Sequence, residues 1–255
     1  MKSLDLNADL GEGFGPWKMG DDGAMLDIVS TANVACGAHA GDPRIMRATI
    51  AAARDRGVSV GAHPGYADLA GFGRRPMPGI TESEVENLVA YQIGAFAGMC
   101  ALEGYRATHV KPHGALGNAA ADDDGLASAV ARAIRAVDPD LAFMAMPGTA
   151  TARAAETAGL RPIYEIFADR TYAPSFNLTP RSQTDAMIKD PDEALARILR
   201  TVETGRLTAT DGSTLDVEIE SICVHGDGPT AIAMARALRD GLVEAGYAIR
   251  SALTG

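Results

Sequence analysis

The sequence holds 255 residues, of which 47% are hydrophobic and 22% charged, and its 33 acidic and 23 basic residues give a formal charge of −10. This is ordinary globular composition, at a length that buries a sizeable core without cross-links, and an acidic excess with no basic stripe argues against a nucleic-acid partner. The three cysteines lack CxxC spacing, the N-terminal stretch carries acids where a signal peptide needs an apolar core, and no apolar run approaches the roughly 20 residues of a membrane span, so a reduced, cytoplasmic protein without a membrane partner is expected.

In chain order, short aliphatic runs alternate with longer Ala-rich stretches. Strands are predicted at 4–8, 31–36 (TANVAC), 58–62 (VSVGA), 107–112 (ATHVKP), 141–146 (LAFMAM), 162–167 (PIYEIF) and 219–224 (IESICV). Helices are predicted between them, including 82–103 and 230–245. Thr81 and Glu84 have capping-box spacing at the start of the longer one. Gly57, Gly104, Gly159, Gly205 and Gly246 fall where helix-terminating glycines belong. Strand-helix alternation implies parallel pairing with right-handed crossovers. About seven such units point to an α/β fold, a parallel (β/α) barrel made by one domain over residues 1–255, with an open doubly wound sheet as the alternative. Residues 170–188 lack periodicity and read as a lid. Residues 207–219, with Asp211-Gly212, read as a hairpin.

Polar residues gather at the predicted strand ends. His39, His63, His113 and His225 each follow a strand, as do Asp9, Glu12, Asp42, Asp68, Asp169 and Asp227. In parallel α/β folds those ends share one face, where ligands bind. Four imidazoles on such a face suit proton transfer or metal ligation. His109 lies inside a strand and reads equally well as a core residue. Asp5, Asn7 and Asp9 alternate, so they point to one side of the first strand and need partners if that side is the barrel interior. Lys111 suits either a substrate carboxylate or phosphate, or a salt bridge to a strand-one acid. Arg74 and Arg75 in GFGRR, and Arg170 and Arg181 in the lid, suit anion contact. Cys36 and Cys223, near motif histidines, read as small buried residues rather than nucleophiles. The chain has no GxxxxGK[ST] phosphate loop and no HExxH.

The blocks DLNADLGEGFG (5–15), ANVACGAHAGDP (32–43), GAHPGYADLAGFGRR (61–75), VKPHGAL (110–116), EIFADRTY (165–172), LTPR (178–181) and ICVHGD (222–227) together resemble the LamB/YcsF family, the 5-oxoprolinase A subunits. The resemblance spans nearly the whole chain. It implies a barrel like those of the glycoside hydrolase/deacetylase group. It also implies ATP-dependent opening of the lactam 5-oxo-L-proline to L-glutamate, with ATP as co-substrate and subunits B and C as partners. The chain departs from the family pattern at Ala8, usually Cys, at Ala38, usually Phe, and at Gly117, usually Tyr. A fourth departure, at 173–177, replaces a Pro-Asp-Gly turn and bears on the lid.

The expected catalytic set is Asp9, His39, His63, Lys111, His113 and His225. Expected substrate contacts are Asn7, Glu12, Asp42, Arg74, Arg75, Asp169, Arg170, Arg181 and Asp227. By likeness to the metal-dependent deacetylases, Asp9, His39 and His63 could hold a divalent metal, in addition to the magnesium that accompanies ATP. Two other readings stay open. One is a stand-alone metal-dependent deacetylase or amidohydrolase, and the other is a non-catalytic substrate-binding subunit.

Overall fold

The computed structural model describes residues 2–225 and 230–253. Strands β1 (Ser3–Leu10), β2 (Thr31–Ala35), β3 (Ser59–His63), β4 (Ala107–Val110), β5 (Ala142–Ala145) and β6 (Pro162–Phe167) pair in parallel in that order. A hairpin, β7 (Arg206–Thr208) and β8 (Thr214–Asp216), follows as predicted around Asp211-Gly212. β9 (Ser221–Val224) then pairs in parallel with both β6 and β1. That double pairing closes a seven-stranded barrel and removes the open-sheet alternative. A short β10 (Ala248–Ile249) adds to the outer start of β1.

The crossovers carry α1 (Asp22–Leu26), α2 (Pro43–Arg54), α3 (Glu82–Leu102), α4 (Gly114–Asp122), α5 (Asp124–Val137), α6 (Ala150–Thr157), α7 (Pro191–Thr204) and α8 (Ala231–Glu244). Their apolar residues recur at helical spacing. In α2, Met46, Thr49, Ile50 and Ala53 face the barrel, while the opposite side carries arginines. The predicted capping box at α3 forms: Glu84 Oε2 accepts from Thr81 N at 2.8 Å, and Thr81 Oγ1 accepts from Glu84 N at 3.3 Å. The five predicted helix-terminating glycines all have positive φ, between 60° and 89°.

α3 corrects one expectation. Its 21 residues are long and apolar enough, by length and composition, to cross a membrane. Here that apolar surface is packed: Val85, Val89, Ile93, Phe96 and Cys100 are buried, and the helix lies against α2, α5, β3 and β4.

The hydrophobic core lies mainly between the barrel wall and the helices, with Leu4, Leu6, Ala8 and Leu10 as the outward-facing set of β1. The alternate residues of β1 turn into the barrel. Asp5, Asn7 and Asp9 are 1%, 0% and 7% exposed, so that side of the strand is the barrel interior and its polar groups need partners there.

Candidate functional site

Three layers of polar side chains fill the barrel interior. At its base, Asp5 accepts hydrogen bonds from Ser30 Oγ (2.6 Å), Thr31 Oγ1 (2.7 Å) and Ser221 Oγ. Burial raises the Asp5 pKa, against the opposing effect of these hydroxyls. Above it, Asn7 donates to Ser221 Oγ at 2.7 Å, and Asn33 Nδ2 donates to Asn7 Oδ1 at 2.8 Å and Asp9 Oδ1 at 2.9 Å. Asn33 Oδ1 in turn lies 2.7 Å from His109 Nε2. Burial first, then the charge of Lys111, lowers the His109 pKa to about 3. The imidazole is therefore neutral and donates from Nε2. His109 is a core histidine, one of the two readings the sequence left open.

Lys111 forms the next layer. Its ammonium lies 3.0 Å from Glu165 Oε2 and 3.2 Å from Asp9 Oδ1. It also donates to Asn7 Oδ1 (3.2 Å) and Cys223 Sγ (3.0 Å). Burial opposes the charge, but Asp9, Cys223 and Glu165 outweigh it and hold the Lys111 pKa well above its ordinary value. Burial likewise opposes ionisation of Asp9, while His63 and Lys111 keep its carboxyl well below the usual range.

At the carboxyl rim of the barrel, Glu12, His39, His63 and His113 bring one ligand atom each to within 4.8 Å of one another. These donors, one carboxylate and three imidazoles, fit a divalent cation. Glu12 and His113 join the set, in place of the Asp9 expected there. Asp9 Oδ1 is held by Asn33 and Lys111, and only Oδ2 reaches His63 Nε2, at 3.3 Å. His63 Nδ1 lies 2.7 Å from Lys111 O, and His113 Nε2 lies 2.9 Å from Phe72 O. Carbonyls only accept, so both outer nitrogens carry the proton. Phe72 has a left-handed backbone, φ 55°, and its ring meets His39 and His113 edge-on. A non-glycine residue held there is a strained feature of the kind that concentrates at functional sites.

A cavity of about 560 Å³ opens over this rim. Asp9, His63, Lys111, His113 and Glu165 line its floor, and His225 also borders it. Asp169 holds His225, with Oδ2 at 2.9 Å from Nδ1. Burial raises the Asp169 pKa, but the adjacent His225 more than compensates, and the carboxyl stays below its ordinary value. Arg74, Arg170 and Arg181 complete the lining. Arg170 fastens the 170–188 loop by donating to Thr179 O at 2.6 Å and Ala186 O at 3.1 Å. Its burial, with Arg181 nearby, lowers its pKa to about 10.

Several expected substrate contacts are engaged elsewhere. Asp42 caps α2, accepting from Ile45 N at 2.9 Å and Gly15 N at 2.8 Å, because it precedes Pro43 at the first helical turn. Arg75 turns out of the cavity to pair with Asp68, Nε to Oδ2 at 2.9 Å, and its side chain is 65% exposed. Asn7 lies below the cavity, and Glu12 and His39 lie behind His63 and His113 rather than on its surface. Asp227 lies outside the described residues. The sequence reading misses Glu165 and Asn33. The visible signal for Glu165 is a lone acid inside an otherwise apolar strand, PIYEIF.

The LamB/YcsF family model matches residues 4–254. A 5-oxoprolinase A subunit from Rhodopseudomonas palustris (strain BisB5) is 50% identical over 246 residues, 96% of this chain and 97% of the relative. The crystal structure of a lactam utilization protein from Thermus thermophilus superposes with a TM-score of 0.91 at 44% identity, covering 97% of this chain and 99% of that one. A mutant of the peptidoglycan deacetylase PdaC from Bacillus subtilis superposes with a TM-score of 0.50 at 12% identity over 98% of this chain and 88% of that one, a likeness of fold alone.

Proposed function

The chain belongs to the LamB/YcsF family, and from that premise we propose that it is the A subunit of a 5-oxoprolinase, a cytoplasmic hydrolase that opens 5-oxo-L-proline to L-glutamate. ATP is the co-substrate, subunits B and C are its partners, and residues 1–255 act as one barrel domain. The observation that carries this reading is that one cavity gathers these groups. It sets His225, held by Asp169, together with His63, His113, Asp9 and Lys111, and adds Arg74, Arg170 and Arg181. A lactam carboxylate, a carbonyl and a ring nitrogen each find a chemically matched group there.

Hydrolysis adds hydroxide to the lactam carbon and a proton to the ring nitrogen. The open product keeps its amine and carboxylate close together, so the ring re-forms readily, and coupling to ATP offsets this. Phosphorylation of the lactam oxygen would give an imidate phosphate; water adds to its carbon, the ring nitrogen departs as the amine to leave an acyl phosphate, and a second water releases the phosphate and the carboxylate. The sequence has no GxxxxGK[ST] loop for the nucleotide, which supports assigning the phosphorylation to a partner subunit. Arg74 and Arg181 bind the substrate carboxylate or the phosphoryl group through their N–H donors, with Arg170 adding positive charge while it holds the loop. His225, which borders the cavity and has Nδ1 fixed by Asp169, gives the proton to the departing ring nitrogen. Lys111, held between Asp9 and Glu165, places fixed positive charge under the carbonyl. Glu12, His63 and His113 are the residues that would hold a divalent ion, which when bound would supply Lewis-acid polarisation and a more acidic water.

The test is glutamate release from 5-oxoproline and ATP by the reconstituted three-subunit complex, with this chain present or omitted. Activity is expected only with the chain present, and His225→Ala, His63→Ala and Asp9→Ala chains should each leave the complex nearly inactive. Full turnover by all three variants rejects the site, and full turnover without the chain rejects the function. The imidazole-carboxylate donor group also suits a metal-dependent amidohydrolase working alone. Lactam or acetamide hydrolysis by the purified chain with metal and no ATP selects that reading.

A further inference from the structure

The donor group at the rim contains an electrostatic conflict. His63 Nδ1 and His113 Nε2 each donate to a backbone carbonyl, so when these rings are neutral, as a metal requires, the inner nitrogens, His63 Nε2 and His113 Nδ1, present lone pairs. These two acceptors face each other at 3.0 Å. Glu12 Oε1 lies 3.5 Å from His113 Nδ1, and Asp9 Oδ2 lies 3.3 Å from His63 Nε2. Electron-rich atoms of Glu12, His63 and His113 thus gather within 4.8 Å of one another with Asp9 Oδ2 beside His63, an arrangement that a bound cation relieves.

We infer that this point is a transition-metal site whose ligands are His63 Nε2, His113 Nδ1 and Glu12 Oε1, and that His39 positions Glu12 without touching the ion. Metal–nitrogen bonds of about 2.0–2.1 Å in a tetrahedral site set ligand atoms about 3.3–3.4 Å apart. Two of the separations, 3.0 Å and 3.5 Å, bracket that value, and the third, His63 to Glu12, lies within 4.8 Å, so a small side-chain movement completes the set. Imidazole nitrogens select ions of the zinc and cobalt class over magnesium or calcium, which prefer oxygen. His63 and His113 also line the cavity, so an ion held by them would lie beside substrate space.

Two observations separate His39 from the ligands. Its ring is stacked on that of His113, with centroids 3.8 Å apart and planes 2° from parallel. An imidazole offers its lone pair in the plane of its ring, and one ion cannot lie in both of two parallel planes. The second observation is the proton on His39. Nε2 lies 3.3 Å from Glu12 Oε1, while Nδ1 is buried without a hydrogen-bond partner. Nδ1 rests against Gly65, where a Cβ would come within 2.7 Å. A buried orphan N–H is rarer than an orphan acceptor, so the proton sits on Nε2 and is donated to Glu12. That nitrogen then has no lone pair for a metal.

The inference goes beyond the lactam reading, because an ion at this point serves any hydrolase chemistry, and its test needs no substrate. Full-length protein is stripped with chelator and titrated with Co²⁺, followed by visible d–d absorption and by metal content. Wild type should bind one Co²⁺ per chain. His63→Ala and His113→Ala should abolish the band. His39→Gln, which keeps an N–H donor for Glu12, should retain the band with affinity within about 10–100-fold of wild type, the usual cost at a supporting residue. Circular dichroism verifies folding of each variant. A wild-type chain that takes up no Co²⁺, or binding indifferent to His63 and His113, overturns the site. Loss of the band in folded His39→Gln as complete as in His63→Ala overturns the role given to His39.

Discussion

His225 Nδ1 lies 2.9 Å and 3.0 Å from the two carboxylate oxygens of Asp169, a forked contact that fixes the imidazole in one orientation against the Phe167 ring. The carboxylate can only accept, so it holds the proton on Nδ1 and stabilises the ring when Nε2 also gains one. Asp169→Asn can turn its amide N–H toward the ring and favour the other tautomer. The complex should then lose about 10²–10⁴-fold in kcat with little change in KM, the range for a displaced general acid. Steady-state kinetics on 5-oxoproline decide it, and an unchanged kcat removes His225 from proton transfer.

Lys111→Met keeps the length of the side chain and deletes its charge. Asp9 and Glu165, which stand 3.2 Å and 3.0 Å from the ammonium, would be left facing each other in a buried site. Breaking a buried pair in this way costs about 3–5 kcal/mol. Urea unfolding should register that loss. The double variant Lys111→Met/Glu165→Gln should recover part of it, and failure to recover any means that Glu165 is not the stranded charge.

His109 supplies a pH dependence that can be worked out in sign. Its pKa falls from an ordinary 6.5 to about 3 on folding, through burial and the nearby Lys111. The unfolded chain therefore binds more protons than the folded one between those values. The neutral ring's contribution is fully present above pH 6.5 and is lost as pH falls toward 3, at up to about 1.4 kcal/mol per pH unit. Chemical unfolding of wild type and His109→Gln at several pH values should give a shallower acid slope for the variant. Parallel slopes contradict a neutral His109.

Gly61→Ala tests how tightly the interior is filled. A β-carbon at Gly61 collides with the His109 ring, which is held by Asn33. Overpacking of this kind costs about 1–3 kcal/mol, and the rigid imidazole places the expected loss at the upper end. Thermal unfolding measures it. A variant as stable as wild type shows that the ring has room to move.

The barrel and the polar rim are legible in the sequence because both follow local rules. Periodicity locates the strands, and alternation in DLNAD turns three polar side chains to one side before any partner is known. The limits of that reading are also physical. Nothing local separates Asp42, whose N-cap position draws it to backbone amides, from acids that face the cavity. Arg74 and Arg75 are adjacent, yet only one lines the cavity, because Asp68 captures the other. Glu12 has the sequence setting of a substrate contact. Its place among the imidazoles depends on loops from three different crossovers meeting, which is a tertiary fact. Proton positions on His63 and His113 depend on carbonyls at Lys111 and Phe72, which no residue-type pattern encodes.

Closure of the barrel by pairing Asp5 with Ser221 and Asn7 with Cys223 has a consequence for synthesis of the chain. β1 leaves the ribosome well before β6 and β9, and some partners of its polar side chains sit on those strands, 158 residues later for Asn7 with Glu165 and 216 for Asp5 with Ser221. Until those strands emerge, β1 can pair with β2 and its polar side chains with Ser30, Thr31 and Asn33, but the contacts that close the barrel are missing. Closure of the barrel is thereby postponed until β9 has emerged, and the growing polypeptide is exposed to chaperones and proteases until then.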